Sequence, residues 1–96
     1  MKIIKTSQSR LSKTDFSNLP FGRVFSDHML VCNFKNNSWQ NPEIVPYGPI
    51  EMTPATQALH YGQSIFEGMK AFKNDSNEIL LFRKQDNLSR LNRSAK

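Results

Sequence analysis

The chain has 96 residues, of which 38% are hydrophobic and 22% are charged, and its formal net charge is +5 at pH 7. This composition is typical of one small globular domain, and the single cysteine excludes an intrachain disulfide. The charge is uneven, with +4 in residues 1–13, −3 in residues 14–82 and +4 in residues 83–96. The slightly acidic body argues against a nucleic-acid-binding domain, for which a basic stripe is expected.

No segment has the features of a membrane span or of a secretory signal. Every apolar run is far shorter than the roughly 20 residues that a transmembrane helix needs. Residues 1–13 are basic and free of acids, as mitochondrial transit peptides are, but they contain no clear amphipathic helix. These features favour a cytoplasmic protein. The lone thiol, Cys32, fits a reducing compartment and is expected to be a small buried hydrophobic residue.

The first half of the chain predicts an extended lead-in followed by a β-hairpin. Residues 1–18 are polar and form the expected lead-in. The apolar run at residues 29–34 predicts a strand, "KNNS" predicts a turn, and residues 39–45 predict a second strand. Pro42 and Pro46 would restrict that second strand to a sheet edge or to a short piece.

The middle of the second half predicts a short helix and a second hairpin. One or two helical turns are expected after Pro54, and Gly62 would interrupt them. "EGMKAF" and "EILLF" flank the turn sequence "KNDSN" and predict the clearest hairpin of the chain. The continuous apolar residues of its second strand predict that both faces of the strand are covered.

The last segment predicts an amphipathic helix that begins at Asp86, a suitable N-cap. Its apolar stripe consists of Leu88, Leu91 and Ala95. Because the pattern is still helical at Lys96, the chain is expected to be a fragment or a domain of a longer protein. Arg90 and Arg93 share a flank away from the stripe, where they could hold a phosphate or simply form a solvated face.

No familiar local motif assigns an activity, since phosphate loops, metal-ligand spacings and nucleophile elbows are all missing. His28 and His60 each lie beside an apolar run and are expected to be hydrogen-bonded structural residues. Glu67 and Asp27 have no obvious carboxylate partner in the sequence. Lys70 is expected to be a solvated strand residue rather than a Schiff-base lysine. The residues alone therefore predict a small α+β domain with a candidate anion-binding helix.

Three blocks of the sequence nevertheless strongly resemble one enzyme family. They read "LPFGRVFSDHML", "LHYGQSIFEGMKAF" and "ILLFRKQDNLSRLNRSA", and they cover most of residues 19–96. Their order and spacing resemble the branched-chain amino-acid aminotransferases, which are fold-type IV enzymes that use pyridoxal 5'-phosphate (PLP). The resemblance implies that residues 19–96 form the small N-terminal domain, a largely antiparallel sheet with flanking helices. The Schiff-base lysine would lie in a larger C-terminal domain beyond Lys96.

The resemblance also implies roles for individual residues. The arginine that contacts the cofactor phosphate corresponds to Arg90. The aromatic residues that wall the pocket for the branched side chain correspond to Phe21, Tyr61 and Phe66, for which core packing is the alternative. Lys84 stands where many relatives have proline, and we expect this difference to affect only a loop. No catalytic residue and no metal ligand is expected within the chain.

The resemblance implies that the full-length protein is a homodimeric, PLP-dependent transaminase. It would transfer an amino group from Leu, Ile or Val to 2-oxoglutarate, in branched-chain amino-acid biosynthesis or breakdown. The 96-residue chain alone is expected to be inactive and to bind PLP weakly. The alternatives are a D-amino-acid aminotransferase or an aminodeoxychorismate lyase of the same fold, or a truncated, non-catalytic domain that binds a partner protein. Nucleic acid and membranes are not expected partners.

Overall fold

The computed structural model describes all 96 residues, which form two compact units, Met1–Glu51 and Met52–Lys96. The chain contains seven short strands and two α-helices, together with a single 3-10 turn at Leu11–Lys13. Most of the strand pairs are antiparallel. The predicted α+β class is therefore confirmed.

The first unit is organised around a three-stranded sheet in the order β1-β5-β2. The bounds of these strands are Lys2–Ile3 for β1, His28–Val31 for β2 and Glu43–Pro46 for β5. β5 lies in the centre, antiparallel to β2 with Leu30 opposite Ile44, and parallel to β1. The lead-in predicted for residues 1–18 thus contributes a strand that its polar sequence did not indicate.

A separate hairpin with a two-residue loop lies between β2 and β5 in the sequence. β3, at Phe34–Lys35, pairs with β4, at Ser38–Trp39. The two residues between them, Asn36 and Asn37, have φ values of 52° and 59°. Two successive positive φ values define a type I′ turn, and asparagine is one of the few residues that tolerates them. The turn predicted at "KNNS" is confirmed.

The two longer strands predicted around this turn are each interrupted. β2 ends before Cys32, and the strand predicted at residues 39–45 is divided at Pro42, which has no backbone N–H to donate. Pro46 ends β5, which is a short piece as predicted but not a sheet edge. Cys32 lies at the break and is exposed, with Sγ 3.2 Å from the carbonyl oxygen of Gln40. The prediction that Cys32 is buried is wrong, because no core forms over this break.

The second unit begins with helix α1 and the predicted second hairpin. α1 spans Gln57–Tyr61 and ends at Gly62, which confirms the predicted interruption at this glycine. Gly62 has a φ of 60° and forms a left-handed cap. In the hairpin, β6 at Ala71–Lys73 pairs with β7 at Ile79–Leu81. The hairpin is confirmed, but β6 is shorter than expected, so Lys70 precedes the strand instead of lying within it.

Helix α2 spans Lys84–Ser94 and begins earlier than predicted. Arg83, with a φ of 50°, occupies the N-cap position, and no side chain caps the helix. Asp86 lies in the first turn and forms an ion pair with Arg83. The prediction of Asp86 as N-cap is therefore wrong, although its carboxylate still lies near the positive end of the helix dipole.

Both ends of α2 differ from the sequence expectation. Lys84 is the first residue of the helix and is not part of a loop. Proline is well tolerated at the first position of a helix. At the other end, the backbone N–H of Ala95 donates to the carbonyl of Leu91, and the helix has ended before Lys96. The expectation that the helix is still running at Lys96 is wrong.

No residue is buried in either unit. The side chains of β7 are a clear case, because Ile79 is 66% exposed, Leu80 is 50% exposed and Leu81 is 45% exposed. The cover predicted for both faces of this strand is thus not provided by the chain itself. A two-stranded hairpin is at best marginally stable without such cover, so these faces are surfaces for further packing. Neither helix has the length and apolar character needed to cross a membrane.

Candidate functional site

Arg90 lies on α2, and its guanidinium is held by the carboxylate of Glu67. Nε of Arg90 donates to Oε2 of Glu67 at 2.6 Å, and Nη2 of Arg90 donates to Oε1. Two parallel hydrogen bonds of this kind make a bidentate pair, in which the planar guanidinium matches the carboxylate. The pair joins helix α2 to the segment that precedes β6.

Glu67 has further partners besides Arg90. Nδ2 of Asn87 donates to Oε1 of Glu67 at 3.2 Å and to the carbonyl of Gly68 at 2.8 Å. The backbone N–H of Gly68 also donates to Oε1, at 3.0 Å. The Glu67 side chain is only 10% exposed, whereas that of Arg90 is 59% exposed. Glu67 is therefore the fixed partner of the pair, and Arg90 is the partner that reaches solvent.

These contacts set the protonation states of the pair. The hydrogen bond from Arg90 lowers the pKa of Glu67 to about 2, and the hydrogen bonds from Asn87 and Gly68 act in the same direction. Desolvation of the carboxylate opposes them without reversing the shift. The hydrogen bond to Glu67 and its negative charge raise the pKa of Arg90. Both groups are consequently charged throughout the neutral range.

A cavity of about 440 Å³ lies beside this pair. It is lined by Phe66, Glu67, Gly68, Arg90 and Ser94. The Nη1 amino group of Arg90 makes no hydrogen bond within the chain, so part of the guanidinium is available to a ligand. A cationic group with free donors at the wall of a cavity can bind a phosphate or a carboxylate. No group of three or more His, Cys, Asp or Glu side chains is arranged to hold a metal ion.

The structure brings together two of the four residues predicted for the site. Phe66 and Arg90 line the same cavity, whereas Tyr61 lies at the end of α1 and does not line it. Phe21 belongs to the first unit and lines a different cavity, of about 550 Å³. The exposed fractions are 104% for Phe21, 84% for Tyr61 and 91% for Phe66. None of the three aromatic side chains is therefore packed in a core of this chain, and their roles stay predictions.

The cavity that contains Phe21 is mainly apolar. Its hydrophobic lining includes Leu11, Phe16, Leu19, Phe21, Val24 and Phe25, and Asp27 is the charged lining residue. Ser9 Oγ donates to Asp27 at 2.6 Å, and the backbone N–H of Arg10 donates to it at 3.0 Å. These hydrogen bonds, the first of which is the main cause, lower the pKa of Asp27. Asp27 thus ties the N-terminal segment to the residues that precede β2.

The two histidines differ in their hydrogen bonding. Nε2 of His28 accepts a hydrogen bond from the backbone N–H of Thr6 at 3.0 Å, which confirms His28 as a structural residue. His60 is exposed and its side chain takes part in no hydrogen bond within the chain, so the same expectation for His60 is not met. Lys70 is exposed, with Nζ 5.4 Å from the ring centre of Phe72, as expected for a solvated lysine.

Glu67 is the residue of the site that sequence reasoning missed. Its partner is not a second carboxylate but an arginine that lies 23 residues further along the chain. No local spacing rule connects a residue before a hairpin with a residue on the helix after it. The only available signal was general, namely an acidic body between basic ends.

Comparison with known proteins places relatives of this chain in one class, the aminotransferases. The chain is 42% identical over 92 residues to branched-chain-amino-acid aminotransferase 2 of Bacillus subtilis (strain 168) and 48% identical over 92 residues to a probable branched-chain-amino-acid aminotransferase of Staphylococcus aureus (strain MRSA252). Each match covers 95% of this chain and 25% of the relative. No family model matches the chain.

A further relative gives the same result. Branched-chain-amino-acid transaminase 1 of Bacillus subtilis (strain 168) is 45% identical over 83 residues, which are 85% of this chain and 23% of the relative. The chain thus spans about a quarter of the length of the curated relatives it matches. It is homologous to the N-terminal quarter of branched-chain-amino-acid aminotransferases, which confirms the family resemblance.

Proposed function

We propose that the complete reading frame containing this chain encodes a PLP-dependent branched-chain aminotransferase. The protein would transfer an amino group from Leu, Ile or Val to 2-oxoglutarate, and the chain would supply the small N-terminal domain. The observation that carries this proposal is the similarity along 95% of the chain to proteins named for that activity. The proposed site is consistent with it, because Arg90, a cation suited to an anionic cofactor, and the exposed ring of Phe66 line the same cavity.

The residues beside Arg90 fit the phosphate group of PLP. Arg90 offers charged donors, Gly68 adds no side chain to the cavity, and about 440 Å³ is ample for a phosphate with part of a ring. Bound PLP supplies an electron sink for the cleavage and formation of bonds at the amino-acid α-carbon. The contribution of this chain is to bind and orient the phosphate through Arg90. The lysine that bonds to PLP is proposed to lie beyond Lys96.

Tyr61 and Phe66 in the second unit, and separately Phe21 in the first unit, are each proposed to contact the branched side chain of the substrate in the full-length protein. Their side chains are free of core packing in this chain and can therefore contact a ligand. An aromatic wall buries the methyl groups of Leu, Ile and Val and offers no partner to a polar or charged side chain. Discrimination by one methylene is worth only about 1–3 kcal/mol, so the three substrates should not be sharply separated.

The exposed apolar surfaces support a larger assembly. The hairpin of β6 and β7 leaves Ile79, Leu80 and Leu81 exposed, and contiguous apolar surface of this kind marks an interface. We propose that these surfaces are covered by the remainder of the full-length protein and by a second copy of it in a homodimer. We also propose a cytoplasmic location for the full-length protein.

The experiment uses the protein encoded by the complete reading frame. It is incubated with leucine and 2-oxoglutarate, and glutamate formation is followed in parallel with a reaction that contains D-alanine in place of leucine. Glutamate formation from leucine, isoleucine and valine, but not from D-alanine, is the expected result. Activity with D-alanine and none with leucine would reassign the protein to a sister activity. A reading frame that ends near Lys96 and shows no activity would favour a non-catalytic binding domain.

A further inference from the structure

We propose that Glu67 is a positioning residue that orients the guanidinium of Arg90 for a phosphate group. The identification of this phosphate with that of PLP rests on the proposed function. The pairing of Glu67 with Arg90 does not depend on it, because it is a direct contact between two side chains of this chain. Glu67 would act through Arg90 and would not itself touch the cofactor.

The geometry of the pair restricts the motion of Arg90. Two hydrogen bonds, from Nε and Nη2, fix the plane of the guanidinium, whereas a single bond would leave it free to rotate. Glu67 is itself anchored, because the backbone N–H of Gly68 and the side chain of Asn87 donate to the same carboxylate. Asn87 is in turn tied to the carbonyl of Gly68. The orientation of Arg90 is therefore determined by a connected network.

This arrangement leaves the binding capacity of Arg90 largely intact. A guanidinium has five N–H donors, and the pair with Glu67 uses Nε and one N–H of Nη2. The Nη1 amino group and the second N–H of Nη2 can therefore receive a phosphate while Glu67 stays in place. A long side chain that is already ordered loses less conformational entropy when a ligand binds. Pre-ordering by Glu67 would thus strengthen phosphate binding.

An opposing effect must be weighed, since Glu67 and a phosphate are both negatively charged. If Glu67 occupied the donors that the phosphate needs, it would compete with the ligand and its removal would tighten binding. Glu67 bonds to only one edge of the guanidinium, so it is expected to orient Arg90 and not to compete with the phosphate. The two possibilities predict changes of opposite sign, so they can be separated experimentally.

The experiment compares PLP with pyridoxal, which lacks the phosphate, in the protein encoded by the complete reading frame. The variant Glu67→Gln keeps the size of the side chain but removes its charge and its two-oxygen acceptor. We expect it to weaken PLP binding about tenfold, a typical coupling between residues in one network. Pyridoxal binding should stay within about twofold, because pyridoxal makes no contact through a phosphate. Both affinities are measured by absorbance or fluorescence titration.

Two controls test whether the effect of Glu67→Gln is specific to Glu67 and acts through Arg90. Glu78→Gln changes a glutamate of the same unit that bonds to Asn74 in the hairpin turn, and it should leave both affinities within about twofold. In an Arg90→Ala background, Glu67→Gln should have no further effect on PLP binding. This non-additivity is the signature of a residue that acts through Arg90.

Several results would overturn the inference. Tighter PLP binding by Glu67→Gln would mean that Glu67 competes with the phosphate. Equal losses for PLP and pyridoxal, or no loss for PLP, would mean that Glu67 does not act on phosphate recognition. If the unsubstituted protein binds no PLP, the proposed function fails, and inorganic phosphate then becomes the probe. Weaker binding of inorganic phosphate by Glu67→Gln would still support the inference, and unchanged or tighter binding would reject it.

Discussion

Two carboxylates, Asp27 in the first unit and Glu67 in the second, each hold an arginine, but they do so in different settings. Asp27 accepts from Nε of Arg10 at 3.3 Å, and Nη2 of Arg10 donates to the carbonyl of Ser26 at 2.6 Å. The Arg10 guanidinium also lies over the ring of Tyr47, 5.8 Å from its centre. Arg10 is thus committed to contacts within its own unit.

Arg90 has one carboxylate partner and lies at the wall of a cavity. Glu67 fixes one edge of its guanidinium, and the remaining donors reach no group of the chain. The presence of an arginine–carboxylate pair therefore does not by itself indicate a function. What matters is where the other N–H donors of the guanidinium go. In Arg10 they bond within the chain and hold a segment in place, whereas in Arg90 they are free to bind a ligand.

The largest expected effect concerns Arg90 itself. Arg90→Ala should weaken PLP binding by the complete protein about 100-fold, because it removes two charge-assisted hydrogen bonds to a phosphate. Arg93→Ala is the matched control, since Arg93 lies on the same helix but does not line the cavity, and it should change the affinity by less than about twofold. If both substitutions weakened PLP binding equally in titrations, Arg90 would have no special role in binding the phosphate.

Phe66 tests whether the cavity beside Arg90 also accepts the substrate. Phe66→Ala should lower kcat/KM for leucine about tenfold, the cost of losing apolar contact with a branched side chain. The ring is 91% exposed, so its removal opens no core within this chain. Phe66→Leu should retain most of the activity because it preserves an apolar wall. An Ala variant with unchanged steady-state kinetics would exclude Phe66 from the substrate pocket.

Asp27 should affect the N-terminal segment and not the cofactor. Asp27→Ala removes the acceptor of the Arg10 backbone N–H, and hydrogen exchange at that amide should accelerate about tenfold. Asp15→Ala serves as the control, because Asp15 accepts only from Ser17 and Asn18 within its own turn. PLP affinity should be unchanged in both variants. A loss of PLP affinity in Asp27→Ala alone would show that the Asp27–Arg10 pair, like the Glu67–Arg90 pair, affects the cofactor.

The smallest expected effect is on stability. Gly62 ends α1 with a φ of 60°, and Gly62→Ala should lower the free energy of unfolding by about 1 kcal/mol, since a Cβ disfavours the left-handed conformation. Gly48→Ala is the matched control, as Gly48 has no positive φ and a Cβ there would meet no atom within 4 Å. Urea unfolding of both variants measures the difference. Equal stabilities would show that the left-handed cap does not contribute.

Features that depend on neighbouring residues could be predicted from the sequence. The turn at Asn36 and Asn37, the helix end at Gly62 and the hairpin before α2 all follow from local conformational preferences. The parallel pairing of β1 with β5 could not be predicted, because it joins residues about 41 positions apart that have no distinctive pattern. The early start of α2 was missed because Arg83 adopts a positive φ, which is uncommon for arginine.

The site itself was predicted only in part. The resemblance indicated Arg90 and Phe66, which share a cavity, but it gave no indication of Glu67. A bidentate pair between residues 23 positions apart depends on how the chain folds back, and composition carries no record of that. The exposure of Phe21, Tyr61 and Ile79 likewise depends on which surfaces the folded chain leaves uncovered.

The most direct test of the central claim, that Glu67 holds Arg90 before any ligand binds, is the titration of the Glu67 carboxyl group. Its pKa of about 2 lies below the ordinary 4.5, so the pair stabilises the folded protein above pH 4.5 and loses this contribution as the pH falls towards 2. Carbon-13 NMR of the ligand-free complete protein at about pH 3.5 should find Glu67 ionised, and mostly protonated in Arg90→Gln. A Glu67 that titrates near 4.5 in both proteins would contradict the account, because Arg90 would then not be held.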